Sequence, residues 1–269
     1  MLMKIEKLMG SIGGEFEGHG IDALLRSSRR RVDHALKHVR RPDAAVGIVK
    51  SPLGDLLVAM TGRGIVLNHY LLGGDDLAAT IAKLRFELDL VDDRRTIKEV
   101  GEEIRRYIGG QAAALRQKID LTLAGTPFQR KLLHKLQEVP RGTVVSYQAL
   151  GAAAGAPKGA RAVGNAMHNN PVPIYVPCHR VIASDGRIGG YGGGAARKLQ
   201  LLRSEGFALA DAALRLPDNV VWGHKGTKIY CRANCRTAAR VDRSRILFFA
   251  GAREARQAGM RPCKICQPA

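Results

Sequence analysis

Asn170-Pro-Val-Pro-Ile-Tyr-Val-Pro-Cys178-His-Arg-Val-Ile182 is the stretch on which the reading of this 269-residue chain turns. Prolines punctuate an apolar segment that ends on an adjacent cysteine and histidine. A thiol attacks an electrophile only as thiolate, and a histidine network is a common way to produce one near neutral pH. Cys178 also stands alone, because the other four cysteines all lie beyond residue 230. Adjacency by itself is weak evidence, since neighbours on a strand face opposite sides. An apolar-flanked cysteine is also commonly inert core.

The surroundings of Cys178 raise its standing. Thr126 caps and Pro127 opens a helix with Phe128, Leu132, Leu133 and Leu136 on one face, stopped by Pro140-Arg-Gly142. Ser146 caps a second helix, Tyr147 to Ala154, that ends at Gly155. After Ala156-Pro157 a third runs from Gly159 to His168. Two short helices joined by a Gly/Pro turn form a helix-turn-helix pattern. The later helix is mostly small residues, among them Ala160 and Gly164, plus Arg161. Such a helix fits close against a nucleic-acid groove, although tight helix–helix packing would give the same composition. Downstream of Cys178 come a glycine-rich loop, Gly186 to Gly194 with Tyr191 and Gly192, and a helix ending Ser204-Glu205-Gly206. Cysteine, histidine and a later glutamate are the parts of a nucleophile–base–orienter relay.

Further upstream the pattern changes. Val46–Val49, Leu56–Met60 and Ile65–Leu71 are short apolar runs separated by Ser51-Pro-Leu-Gly54 and Gly62-Arg-Gly64, which predicts antiparallel hairpins. Residues 76–90 and 97–109 carry helical spacing, and Ile119–Leu123 alternates like one more strand. Residues 44–124 are therefore expected to form a small α/β domain and 125–209 a second domain. Residues 1–43 read as a basic arm, with helical spacing at Val32, Ala35, Leu36 and Val39 closed by Pro42.

The formal charge is +19, and residues 46–125 contribute none of it, with eleven residues of each sign. Residues 126–209 and 210–269 contribute +8 each. Basic excess in the segments that hold the cysteines points to a polyanion, with nucleic acid the first choice and a merely soluble basic surface the bland alternative. No run approaches a membrane span, and charges interrupt the apolar residues at the N-terminus. The expectation is a cytoplasmic, DNA-associated monomer in a reducing compartment, with no membrane partner. There cysteines mean metal or catalysis. Cys231-x3-Cys235 and Cys263-x2-Cys266 accordingly read as a four-cysteine zinc site in a module spanning 217–269.

Ser146-Tyr-Gln, Arg161-Ala-Val-Gly, Asn170-Pro-Val-Pro-Ile, Pro177-Cys-His-Arg-Val-Ile, Gly-Gly-Tyr191 and Leu201-Leu-Arg-Ser-Glu205-Gly closely resemble the 6-O-alkylguanine-DNA alkyltransferases over about residues 44–209. The resemblance implies an α+β fold with a ribonuclease-H-like N-terminal domain and a winged-helix-like helix-turn-helix domain. It implies that Cys178 takes an alkyl group, methyl above all, from O6-alkylguanine in double-stranded DNA, with O4-alkylthymine as a further substrate. His179 would act as base through a water, oriented by Glu205, and Asn170 would brace the turn. Tyr147 would stack on and hydrogen-bond the flipped nucleotide, and Arg161 would fill the gap it leaves. Ser146, Ala160 and Gly164 would join the DNA contact, and Tyr191, Val181 and Gly192 would wall the pocket. The family's Gly-Asn-Pro reads Asn169-Asn170-Pro171 here, and the loop after Tyr191 is all glycine.

Thr227 to Arg236 and Ala258 to Pro268 resemble the zinc-binding domain of the Ada adaptive-response protein. That resemblance implies zinc on the four cysteines and Cys231 as acceptor of methyl from DNA methylphosphotriesters. The order differs: that domain precedes the alkyltransferase in the Ada family and follows it here. Alkyl transfer itself needs no cofactor. Two rivals stay open on sequence: a non-enzymatic DNA-binding regulator that senses alkylation or oxidation through its cysteines, and a thiol hydrolase using Cys178 and His179.

Overall fold

Strand β1 (Asp43–Ser51) turns back into β2 (Gly54–Thr61) through Ser51-Pro-Leu-Gly54. The Ser51 hydroxyl accepts from Leu53 N (3.1 Å) and donates to Gly54 O (2.7 Å), and Gly54 takes φ +97°. β3 (Gly64–Tyr70) completes an antiparallel meander. A Cβ at Gly64 would stand 2.3 Å from Lys118 O, so only glycine lets the two backbones meet. The computed structural model describes residues 41–269 apart from 73, 113, 233–234, 238–240 and 269. The basic arm expected over residues 1–43 lies, but for its last three residues, outside the described residues.

Helix α1 (Gly74–Glu87) leads to β4 (Asp89–Val91), which pairs parallel to β1 and gives the sheet order β3-β2-β1-β4. Helical spacing alone extends the helix to residue 90. Instead the open edge of β1 captures residues 89–91 as a strand, with Leu88 buried beneath. Helix α2 (Arg94–Ile108) is capped by Asp93, whose carboxylate accepts from Thr96 N at 3.0 Å, a cap worth about 1 kcal/mol. Its buried stripe of Ile97, Val100, Ile104 and Ile108 covers the sheet. Ile119–Leu123 is not a strand. Ile119 makes a single bridge to Ile65, and then Asp120 Oδ1 accepts from Thr122 N (3.0 Å) and turns the chain.

Helix α3 (Pro127–Gln137) carries the expected cap, with Thr126 Oγ1 accepting from Gln129 N at 3.1 Å. Next come β5 (Thr143–Ser146), α4 (Tyr147–Ala153), α5 (Ala160–His168), a single helical turn over Cys178–Arg180, β6 (Val181–Ile182) and α6 (Ala195–Ser204). The C-terminal segment adds β7 (Val221–His224), β8 (Ile229–Arg232), β9 (Ile246–Phe249), α7 (Ala252–Gln257) and β10 (Arg261–Pro262). Its strands form one sheet with β5 and β6, in the order β10-β8-β7-β9-β5-β6. β9 pairs antiparallel to β5 through Thr143↔Phe249, Val144↔Phe248 and Val145↔Leu247. Asp43–Ala269 is one compact unit, and a single buried cluster includes Val58, Ile104, Leu132, Cys178, Tyr230 and Phe249. Fully burying Phe249 contributes roughly 1.5–3 kcal/mol.

Candidate active site and metal centre

The segment before Cys178 is held from two sides. Asn170 Oδ1 accepts from Val172 N (3.1 Å), while its Nδ2 donates to Val176 O (3.0 Å) and lies 3.2 Å from Cys178 Sγ. From β3, Asn68 N donates to Pro171 O (2.9 Å) and its Nδ2 to Pro173 O (2.7 Å). Between these anchors Ile174 adopts φ +75°, a conformation that costs a β-branched residue on the order of 1–3 kcal/mol. The turn thus places the thiol at a point the free chain would avoid. Cys178 is 7% exposed. Burial pushes its thiol pKa up, against the Asn170 hydrogen bond and the positive charge of Lys198, which pull it down.

His179 and Glu205 are directly paired. His179 Nε2 lies 2.8 Å from Glu205 Oε1, and both side chains are wholly buried. The carboxylate also accepts from Arg180 Nη2 (2.8 Å), Arg180 Nε (2.9 Å) and Tyr107 OH (2.9 Å). Burial works to raise the Glu205 pKa, but the charges and hydrogen bonds of His179 and Arg180 outweigh it and hold the group far below the usual carboxylate range. An ionised carboxylate only accepts, so Nε2 carries the proton and Nδ1 the lone pair. Nδ1 is buried with no hydrogen-bond partner among the described residues. Burial lowers the His179 pKa against the pull of Glu205, so the ring is neutral and able to take a proton.

Cys178 opens onto a cavity of about 320 Å³ lined by Tyr147, Gly164, Met167, His168, Gly190, Tyr191 and Gly192. An adjoining cleft of about 200 Å³ reaches Asn170 and Tyr70, and Tyr70 OH lies 3.0 Å from Tyr191 OH. Five expected site residues, Tyr147, Gly164, Cys178, Tyr191 and Gly192, therefore share one cavity. Arg161 and Ala160 are exposed at the start of α5. Ser146 is buried, and its hydroxyl accepts from Ala149 N (3.0 Å), so it positions Tyr147 instead of facing solvent. Val181 is fully buried in β6 and does not line the cavity, because its strand pairs with β5.

Sequence reasoning missed Lys198. Its side chain is 0% exposed, and Nζ donates to Val181 O (2.7 Å), Ile188 O (2.6 Å) and Gly190 O (3.2 Å). Burial lowers its pKa to about 8, opposed by Cys178. The signal was present: Lys198 falls on the buried stripe of α6 with Leu201 and Leu202. A lysine on an apolar face needs a partner.

The four C-terminal cysteines converge. The Sγ atoms of Cys231, Cys235, Cys263 and Cys266 all lie within 4.8 Å of one another. A tetrahedral zinc–thiolate site, with Zn–S near 2.3 Å, sets its sulfurs about 3.8 Å apart, so the donor set fits that ion. Arg232 N and Ile265 N point to Cys266 Sγ and Cys263 Sγ at 3.4 Å each, and Thr237 Oγ1 lies 3.1 Å from Cys235 Sγ. Such donors stabilise thiolates around a metal.

The methylated-DNA–protein-cysteine methyltransferase of Methanosarcina barkeri is 34% identical over 162 residues, covering 59% of this chain and 94% of that protein. The chain belongs to the methylated-DNA–protein-cysteine methyltransferase family. Residues 127–207 match the family described as 6-O-methylguanine DNA methyltransferase, DNA binding domain. Residues 208–269 match the metal binding domain of Ada. The bifunctional transcriptional activator/DNA repair enzyme Ada of Escherichia coli is 39% identical over 158 residues, and the chain spans 43% of that protein. A crystal structure of the Mycobacterium tuberculosis O6-methylguanine methyltransferase superposes with a TM-score of 0.51 at 31% identity, covering 60% of this chain and 92% of that one. The mixed α/β fold of this methyltransferase family therefore extends over the part of the chain that holds Cys178.

Proposed function

We propose that this chain is a single-turnover DNA repair methyltransferase that moves an alkyl group from O6-alkylguanine, and in the same manner O4-alkylthymine, onto Cys178. The observation that carries the reading is the buried Cys178 thiol opening on a cavity flanked by Tyr147 and Tyr191, beside a neutral His179 fixed by Glu205. The alkyl carbon of such a lesion sits inside the base stack, so the nucleotide must be flipped out, at a cost of a few kcal/mol. Arg161, exposed on α5, is suited to fill the gap, and phosphate contacts from the basic surface offset the rest.

Bonds balance without a cofactor. His179 Nδ1 takes the thiol proton through a water, with Glu205 holding the ring. The thiolate sulfur attacks the alkyl carbon, and the C–O6 bond breaks with its electron pair going to O6. The guanine left in the strand takes up the proton that His179 had accepted, which returns the ring to its neutral form. The product thioether is inert, so the protein is consumed.

Helices α4 and α5 act as the helix-turn-helix. A Cβ at Gly151 would stand 2.7 Å from Ala156 O, which is how the turn closes so tightly. Gly164 differs: a Cβ there meets nothing within 4 Å. Its smallness is not required by packing within the chain, which favours groove contact over a tight helix–helix contact. The strand order β3-β2-β1-β4, three antiparallel strands and then a parallel one, supports a ribonuclease-H-like N-terminal domain. Among the described residues no helix is long and apolar enough to cross a membrane. The basic excess of residues 126–269 supports double-stranded DNA as the partner, on which the chain is proposed to act as a cytoplasmic monomer.

The cysteine cluster is assigned to zinc, which when bound keeps its thiolates anionic and nucleophilic. Cys231 and Cys263 line an apolar cavity of about 530 Å³ whose charged lining residues are Arg261, Lys264 and Asp242, whereas Cys235 and Cys266 do not line it. The opening of Cys231 onto this cavity, with Arg261 and Lys264 outnumbering Asp242, supports a DNA backbone substrate, with Cys231 accepting methyl from a methylphosphotriester. Incubation with duplex containing 6-O-methylguanine should add one CH2 unit to the Cys178 peptide, absent in Cys178→Ala. An intact lesion beside unmodified protein, with binding dictated by sequence, would instead establish the non-enzymatic regulator.

A further inference from the structure

The C-terminal segment reads as an appended metal module, but it is attached to the alkyl-transfer site by main-chain hydrogen bonds. The junction is Gly142, at φ +72°. Its amide faces Glu205 Oε2 at 3.4 Å, and its carbonyl accepts from Ala250 N at 3.0 Å. One residue thus separates the carboxylate that fixes His179 from the residue that follows β9. A Cβ at Gly142 would stand 3.1 Å from Glu254 Cγ of α7 and 3.3 Å from Glu205 O, so the module and the active-site glutamate enclose this residue from two sides. Arg141 beside it donates to Ser204 O and lies over the Tyr107 ring at 4.9 Å, and Tyr107 in turn donates to Glu205.

β5 runs from this junction to the pocket. It ends at Ser146, whose hydroxyl caps the helix that begins with Tyr147. On one edge β5 pairs with only two residues of β6, the strand that follows the Cys178–Arg180 turn. On the other edge it pairs with three residues of β9. A two-residue parallel pairing is weak. Most of the restraint on β5 therefore comes from β9, with Phe249 fully buried opposite Thr143.

We infer that β9 and Ala250 are positioning residues for alkyl transfer at Cys178: by pairing with β5 they fix Gly142 against Glu205 and Ser146 beneath Tyr147. The inference rests on the proposed alkyltransferase reading and deepens it. The cysteine cluster ties together β8 and the segment around β10, so the module that presents β9 is itself held by the metal ligands.

The test uses the full-length, zinc-loaded protein. Ala250→Pro deletes the N–H that reaches Gly142. Ala252→Pro is the control, because proline is tolerated at the first position of a helix. Three quantities are read: affinity for duplex containing 6-O-methylguanine by anisotropy, the single-turnover rate of methyl transfer at saturating duplex, and the His179 imidazole N–H proton by NMR of histidine-labelled protein. Ala250→Pro should bind DNA as the parent does, transfer about ten-fold more slowly, and shift the imidazole proton, since small displacements of reacting groups cost at least that much. Ala252→Pro should match the parent in all three. If Ala250→Pro fails to fold, Phe249→Leu, which keeps every main-chain bond and removes only ring packing, should slow transfer about three-fold with the same spectral shift. A folded variant with parental rate and an unmoved imidazole signal overturns the inference. Absence of transfer in the parent would instead overturn the alkyltransferase reading itself.

Discussion

Replacing Glu205 by glutamine exchanges one oxygen for an amide nitrogen and leaves the side-chain volume intact. Oε1 accepts from His179, Arg180 and Tyr107, while Oε2 accepts from Arg180 Nε and faces Gly142 N. The amide oxygen will take the Oε1 position, where three donors converge. The amide nitrogen then confronts two further donors across the Oε2 position, and the Arg180 guanidinium stays buried without a counter-charge. Leaving a buried charge unpaired costs about 3–5 kcal/mol. For a unit of this size that lowers Tm by about 10 °C. Arg180→Met in the Glu205→Gln background removes the orphaned cation, so the double variant should recover about 2 kcal/mol. The two-state denaturation free energy is the assay, with single-turnover transfer, expected to fall about 10²-fold, as the functional counterpart. The depressed Glu205 pKa adds a pH signature. Its stabilisation is present above the unfolded-state value near 4.3 and is lost as pH falls from there towards the folded-state value. Glu205→Gln should flatten the stability profile in that acid window. A loss under about 1 kcal/mol, or a double variant weaker than the single, would refute the account of the relay as an ion pair locked by Arg180.

Three further outcomes are expected. Gly164→Ala should raise Tm slightly, since alanine gains up to about 1 kcal/mol over glycine in a helix and its Cβ meets nothing, yet weaken duplex affinity, measured by anisotropy; unchanged affinity would return α5 to a packing role. Arg161→Ala should slow transfer from duplex about ten-fold while leaving reaction with the free 6-O-methylguanine base unchanged, because only the duplex needs a gap filled; equal loss on both substrates would point to misfolding. Cys263→Ser should abolish stoichiometric zinc by metal analysis and lower Tm, and retention of one tightly bound zinc would show that three ligands suffice.

The legible and illegible parts of this chain separate by range of interaction. The Thr126 and Ser146 caps are local hydrogen bonds between residues three apart, so a few letters of sequence contain them. The Cys178 turn is legible for a related reason: Asn170 reaches the thiol within eight residues. β4 and β5 are three and four residues long, too short to display a period, and exist because a partner edge is waiting. The Thr143↔Phe249 register joins residues more than a hundred positions apart, and nothing local to either strand announces it. Tyr107 belongs to the same class, for its side chain is one more residue on an amphipathic helix until folding brings it 2.9 Å from Glu205.

On the proposed reading the electrostatics suit a reagent that is used once. An exposed thiolate would be consumed by any passing oxidant or electrophile, with no second turnover to compensate. Burial instead keeps Cys178 protonated at rest, while Asn170 and the Lys198 cation already favour the anion. His179 is neutral, with its lone pair on Nδ1, so the base is ready but its proton acceptance must be coupled to thiol ionisation. A flipped base seated in the cavity of about 320 Å³ would shield the thiol from bulk water and bring the alkyl carbon to the sulfur at the same step. Reactivity is then conditional on the lesion. The strained Ile174 turn, the Glu205 ion pair and the β9–β5 seam are the three restraints that keep this arrangement from relaxing between encounters.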